Sequence, residues 1–238
     1  MEQFRLDKLV CDLFKVTRKQ AKTDISSGNV TVNGVIVRKS NEHFSANASI
    51  ARCGQIGFYQ KYVYIMMNKP EGVLSATRDR HTKTALDLLP EMMRRRDLFV
   101  AGRLDKNTTG FLLITNDGDF AHNILSPKKH IAKTYIASLR DAIDDTAPQI
   151  FAQGVELSDF VCKPAKLEIL APNRARVTVV EGKFHQIKRM FAAIGNEVIS
   201  LHRCQMGDLE LDSTLQKGEA RYITNEELLR LKEGKIDD

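Results

Sequence analysis

Ala101-Gly102-Arg103-Leu104-Asp105-Lys106-Asn107-Thr108-Thr109-Gly110 joins two short apolar runs, residues 98–101 and 111–114. Each run is bounded by turn residues, the pattern of buried strands. The loop between them is held at both ends and carries a carboxylate, Asp105, two positions after Arg103. Reactive side chains are commonly presented this way, on a loop fixed by a rigid scaffold. The local sequence leaves a second reading open, because an aspartate in such a loop also makes an Asx turn with its own backbone. The rest of the chain has to decide.

Downstream, Thr115-Asn116-Asp117-Gly118 reads as a tight turn before a short helix over 119–125. Residues 132–139 read as a strand that puts Lys133 and Tyr135 on one face. A helix over 146–153 and strands over 165–170 and 175–180 follow. Residues 181–195 then form a turn entering a helix whose buried stripe is Ile187, Phe191 and Ile194. Strands over 198–201 and 209–211 come next, and Thr224-Asn225-Glu226-Glu227 caps a last helix. Upstream, a strand over 62–67 runs into Asn68-Lys69-Pro70-Glu71-Gly72, where Pro70 and Gly72 demand a sharp turn. A helix beginning at Ala85 stops at Pro90. The basic cluster Arg94-Arg95-Arg96 reads equally as a solvated turn or an RNA contact, and Lys128-Lys129-His130 is also basic. The mixture indicates an α+β domain with a mixed, largely antiparallel sheet.

The first sixty residues differ in character. A helix over 4–14 has Phe4, Leu6, Leu9, Val10, Leu13 and Phe14 on one side. Thr17-Arg18-Lys19-Gln20 has the form of a capping box opening a second helix, which Gly28 ends. Asn33-Gly34 between β-branched runs marks a hairpin. Residues 45–60, rich in small residues, read as a connection, and the domain boundary is placed there: 1–58 and 59–238. Residues 1–60 hold nine Lys/Arg against five Asp/Glu, so they supply +4 of the chain's net +6. Concentrated positive charge favours a nucleic-acid partner.

The 238 residues suffice for two domains, and 42% hydrophobic content for buried cores. No apolar stretch is long enough to span a bilayer and no signal peptide opens the chain, which predicts a cytoplasmic protein. Cys11, Cys53, Cys162 and Cys204 form no Cys-x-x-Cys pair, and the histidines form no close ligand pair, so no metal site is expected. Nucleotide-binding, zinc-protease and serine-hydrolase motifs are absent, and no cofactor is expected.

Four stretches then fall into a recognisable order. Gly102-Arg103-Leu104-Asp105-x-x-Thr108-x-Gly110-x-Leu112-Leu113-x-Thr115-x-Asp117-Gly118 resembles the catalytic signature of the RsuA family of ribosomal small subunit pseudouridine synthases. Asn68-Lys69-Pro70-x-Gly72, Lys133-Thr134-Tyr135 and the segment Glu181-Gly182-Lys183-Phe184-His185-Gln186-Ile187-Lys188-Arg189-Met190 resemble its other motifs. Residues 3–50, with Arg5-Leu6-Asp7-Lys8 and Gly28-Asn29-Val30-Thr31-Val32-Asn33-Gly34, resemble an S4-type RNA-binding module.

The resemblance implies a small α/β module followed by a catalytic domain with helices flanking a cleft. It implies isomerisation of a uridine in 16S ribosomal RNA, at the family's uridine 516, by a cofactor-free enzyme acting as a monomer on RNA within an assembling small subunit. A 23S rRNA target and a non-catalytic assembly factor are the competing readings. Asp105 becomes the essential carboxylate, Lys188 its cationic partner, and Tyr135 the ring that stacks on uracil. Arg103 fills the place of an extruded base. Lys69, Gly72, Gly102, Thr108, Gly110, Gln186 and Ile187 shape the cleft. Arg5, Lys8, Arg18, Lys19, Lys22 and Arg189 meet RNA.

Overall fold

The computed structural model describes residues 3–126 and 131–233. The basic run Lys128-Lys129-His130 lies outside the described residues. The chain divides into two compact units, Met1–Val63 and Tyr64–Asp238.

In the first unit, β1 (Gln3–Arg5) leads into α1 (Leu6–Phe14) and α2 (Arg18–Ser26). Then come β2 (Val30–Val32), β3 (Val35–Ile36), β4 (His43–Ser45), β5 (Ser49–Arg52) and β6 (Gln55–Phe58). β1 pairs with β4, and the other strands form a sheet in the order β3-β2-β5-β6. Leu6, Leu9, Val10, Ala21, Ile25, Val30, Val32 and Ile50 make the core between helices and sheet. Asn33 (φ 51°) and Gly34 (φ 84°) are both left-handed, as a tight two-residue hairpin turn requires.

Three expectations are corrected here. Residues 45–60 are not a plain connection, because Ser49–Arg52 and Gln55–Phe58 pair as strands. Residues 4 and 5, expected in the first helix, are extended, part of a strand over 3–5 that pairs with 43–45. Thr17 Oγ1 accepts from the Gln20 N–H at 3.2 Å, but the Gln20 amide donates to Asp24 at 2.8 Å. The capping box is therefore only half made.

The second unit contains β7 (Tyr64–Lys69), β8 (Phe99–Ala101), β9 (Thr108–Thr115), α3 (Gly118–Leu125), β10 (Lys133–Leu139), α4 (Ala147–Gln153), β11 (Lys166–Ala171) and β12 (Arg174–Val179). It continues through α5 (Gln186–Ala193), β13 (Val198–Met206), β14 (Leu209–Glu210), β15 (Ala220–Tyr222) and α6 (Asn225–Glu233). Two short 3-10 turns, Ala85–Leu88 and Glu91–Met93, flank Pro90. The mixed sheet runs β11-β12-β10-β13-β9-β7-β15, with β8 on β9 and β14 on β13. β9 and β13 are parallel and the other pairs antiparallel. Among the described residues, no helix is long and apolar enough to cross a membrane.

β9 is buried along nearly its whole length, with Phe111 and Leu113 in a cluster completed by Met66, Phe120, Ile124 and Met206. Asp117 starts α3 by accepting from the Phe120 N–H at 3.0 Å. Phe151 of α4 packs on Phe191 of α5 with ring centres 5.0 Å apart. The strand expected over 198–201 continues to Met206, and β15 was not foreseen. The buried stripe of α5 uses Met190, while Ile194 is half-buried.

Candidate active site

The loop carrying Asp105 is pinned from several directions. β8 ends at Ala101, and Gly102 turns the chain at φ +82°. The Ser75 hydroxyl donates to the Leu104 carbonyl at 2.8 Å and accepts its N–H at 3.0 Å. Lys69 is fully buried, and its Nζ donates to the carbonyls of Pro70 (3.0 Å), Lys106 (3.1 Å) and Thr108 (2.9 Å). Three acceptors match the three protons of an ammonium. Burial pushes Lys69 down to about 8, against the opposing charges of Asp105 and Glu71. The Gly72 N–H also donates to the Lys106 carbonyl at 2.9 Å. The Asn68–Gly72 turn thus clamps the chain on the C-terminal side of Asp105.

The turn itself is closed through the backbone, by the Thr108 N–H to the Asp105 carbonyl at 3.1 Å. Its carboxylate faces two side chains from the start of α5. His185 Nε2 is 3.5 Å from Oδ1, and Lys188 Nζ is 3.8 Å from Oδ2. The sequence reading named Lys188 but not His185. The signal for His185 was its place in the segment 181–190, three residues before Lys188. His185 also precedes α5 in a left-handed conformation, φ 50°. Arg189 turns away from Asp105, pairs with Asp159, and lies 5.3 Å from the Phe160 ring centre.

Asp105 lines a cleft with Arg103, Leu104, Thr108, Tyr135, Val179, the 181–183 turn and the first residues of α5. Tyr135 is buried in its wall and Arg103 is exposed. Gln186 and Ile187 are buried. The Gln186 amide donates to Glu181 at 2.8 Å and accepts the Lys183 N–H at 3.0 Å, which fixes the turn leading into α5. Thr108 is buried, and its Oγ1 has no hydrogen-bond partner among the described residues. Lys133, beside Tyr135, donates to the Ile131 carbonyl at 2.9 Å; burial first, then the charge of Arg203, pushes it down to about 8.

Arg203 was missed. It is 1% exposed, donates to the carbonyls of Phe111 (2.7 Å) and Gly102 (2.8 Å), and sits 6.0 Å from the Tyr135 ring centre. It ties the β8 end of the Asp105 loop to the strand that carries it. Gly110 explains its own identity: at φ +102°, a Cβ there would stand 2.3 Å from the Arg203 carbonyl.

In the first unit, the basic residues assigned to RNA separate into two groups. Asp7 is buried, and Arg5 grips both its carboxylate oxygens at 3.1 and 2.9 Å. Arg18 reaches the same pair of oxygens at 3.4 Å. Burial alone would raise Asp7, but the two guanidiniums outweigh it and hold the carboxyl below its ordinary value. Arg5 and Arg18 therefore have structural partners, which the sequence reading did not foresee. Lys8, Lys19 and Lys22 are exposed.

The second unit thus presents one aspartate beside two basic side chains and a tyrosine in a cleft on a mixed sheet, the arrangement of a candidate active site. The profile of the RNA pseudouridylate synthase family matches residues 63–193, and that of the S4 domain residues 4–50. The ribosomal small subunit pseudouridine synthase A of Escherichia coli is 42% identical over 228 residues, covering 94% of this chain and 98% of the relative. An uncharacterized RNA pseudouridine synthase of Bacillus subtilis is 42% identical over 239 residues, covering 96% and 98%. A crystal structure of a pseudouridylate synthase superposes with a TM-score of 0.69 at 38% identity, covering 96% and 99%. The chain belongs to the RNA pseudouridylate synthase family, in its S4-bearing RsuA branch.

Proposed function

We propose that this enzyme converts one uridine of 16S ribosomal RNA to pseudouridine, at the position equivalent to uridine 516, with Asp105 as the essential carboxylate. The observation that carries the reading is Asp105 itself: an anchored carboxylate in a cleft, 3.8 Å from Lys188 and 3.5 Å from His185, with Tyr135 in the wall. The name of the Escherichia coli relative supports a small-subunit rather than a 23S target.

The reaction breaks the N1–C1′ bond, turns the uracil and joins C5 to C1′, while the C5 proton leaves and N1 gains one. It needs no oxidant and no cofactor. Asp105 acts at the sugar, by attacking C1′ or by removing a ribose proton. Lys188 sets a positive charge 3.8 Å from its carboxylate. Tyr135 stacks on the detached uracil and assists loss of the C5 proton. The target base leaves its helix to reach this cleft, and Arg103, exposed at its rim, fills the gap. The enzyme works as a cytoplasmic monomer on an assembling small subunit.

The test is pseudouridine mapping in rRNA from cells lacking the gene, complemented by wild type or Asp105→Asn. The expected result is one 16S pseudouridine that only the wild type restores. Restoration by Asp105→Asn would remove Asp105 from the chemistry and favour a binding-only assembly factor. A lost pseudouridine in 23S rRNA would move the substrate.

A further inference from the structure

Phe184 sits in the turn that feeds α5 and is 76% exposed, the most exposed of the large apolar side chains described. A single exposed apolar residue ordinarily calls for no explanation. This one is not simply adrift, because its ring stacks on the His185 imidazole at 3.8 Å between centres, inclined by 16°. One face of Phe184 is therefore covered, and its high exposure leaves the other open. The imidazole beneath it contacts Asp105 at 3.5 Å, so the open face lies one ring beyond the group that contacts the carboxylate.

Lys183, the residue before Phe184, is the cation of this turn, its Nζ 4.7 Å from the Phe160 ring centre, whereas Arg189 pairs with Asp159. Lys183 also lines the cleft. The backbone here is rigid: Gln186 bonds both the Lys183 N–H and the Glu181 carboxylate. A flat, open aromatic face on a fixed turn, between two residues that line the cleft, Lys183 and His185, has the composition of a single-strand nucleobase platform.

We infer that Phe184 is a stacking platform for a base of the substrate RNA next to the target uridine. Its occupant is an unpaired nucleobase, taken by its π-face, and Lys183 beside it meets a flanking phosphate. Such a contact tolerates any base identity, so it strengthens binding without reading sequence. The inference rests on the proposal that the Asp105 cleft receives the uridine.

The chain contains no tryptophan, so Phe184→Trp installs a lone indole, excited selectively over the five tyrosines, on the platform itself. Full-length Phe184→Trp is titrated with unmodified 16S rRNA transcript, with binding followed in parallel by filter retention. The expected result is saturable quenching that tracks retention. Phe184→Leu, which keeps an apolar side chain but no ring, is expected to raise KM about 5- to 50-fold with kcat within threefold. Retention without quenching overturns the platform, as does Phe184→Leu with an unchanged KM. Loss of retention in Phe184→Trp overturns it too, since a larger ring should stack at least as well. Full activity in Asp105→Asn would instead sink the cleft assignment, and that outcome is read independently of Phe184.

Discussion

At 3.8 Å, the Lys188 Nζ attracts Asp105 without a short hydrogen bond, so it acts as a point charge. Arg189 has one more plane of donors but spends them on Asp159. Lys188→Met is expected to lower kcat by about a hundredfold, the scale of losing one preorganised charge partner. Arg189→Met should change kcat by less than threefold. Single-turnover assays on the same transcript compare them, and equal losses would undo the assignment. Lys133 gives a stability test. Its folded value of about 8 lies below the ordinary 10.5, so between these pH values the unfolded chain binds more protons. Stability should therefore rise with pH across that window, and the contribution is lost as pH falls from 10.5 through 8. Lys69 has the same sign and contributes in parallel. In Lys133→Met, the rise in urea midpoint from pH 8 to 10 should be visibly flatter than in wild type. Not all of this could be read from the residues alone. Asp105, Lys188 and Tyr135 stand in stretches that resemble family motifs, although the Asp105 loop alone also reads as an Asx turn. Arg203 does not, because its partners are the carbonyls of Phe111 and Gly102, and a carbonyl leaves no mark in the sequence.

The elements show the same division. β9 was legible over its short apolar run, residues 111–114, though the strand starts earlier, at Thr108, and α5 because its periodicity is helical. β5 and β6 were not, since Ser49, Ala51 and Gly57 have weak strand preference and pair only because β2 offers an edge. The junction of β9 with β13 is the tightest backbone approach near the site. There Gly110 pairs with Arg203 in the sheet's parallel register, with no room for a methyl group. Gly110→Ala should cost about 3 kcal/mol or more of unfolding free energy, combining a left-handed backbone with a clash against a carbonyl that cannot withdraw. Thr109→Ala, next along the strand, removes the hydroxyl that lies 2.9 Å from the His202 ring nitrogen and should cost about 1 kcal/mol. Urea denaturation separates the two. A mild Gly110→Ala would mean that β9 and β13 can part without loosening the Asp105 loop.

On the scale of the whole chain, the basic excess of the first unit has to be divided before it is assigned to RNA. Arg5 and Arg18 bracket the buried Asp7, and Arg52 pairs with the buried Asp24 at 2.7 Å. These guanidiniums satisfy carboxylates that the fold has desolvated, so removing them strands a buried charge. Lys8, Lys19 and Lys22 are exposed on α1 and α2, where an ammonium can meet a phosphate without giving up a carboxylate partner. Charge counting in the sequence cannot see this division, because Asp7 and Arg18 are eleven residues apart and meet only when α1 and α2 pack. The division predicts two separable phenotypes in the full-length chain. Lys8→Ala, Lys19→Ala and Lys22→Ala combined should leave the unfolding midpoint nearly unchanged. If all three meet phosphates, the slope of log affinity against log salt becomes shallower by about two. Asp7→Asn should do the reverse: the salt slope is kept, while stability falls by about 3 kcal/mol as two guanidiniums lose their carboxylate. Filter binding from 50 to 300 mM KCl, with urea melts on the same preparations, measures both. An unchanged slope in the triple variant would mean that the exposed lysines are merely solvated and that phosphate contacts are made from the catalytic unit.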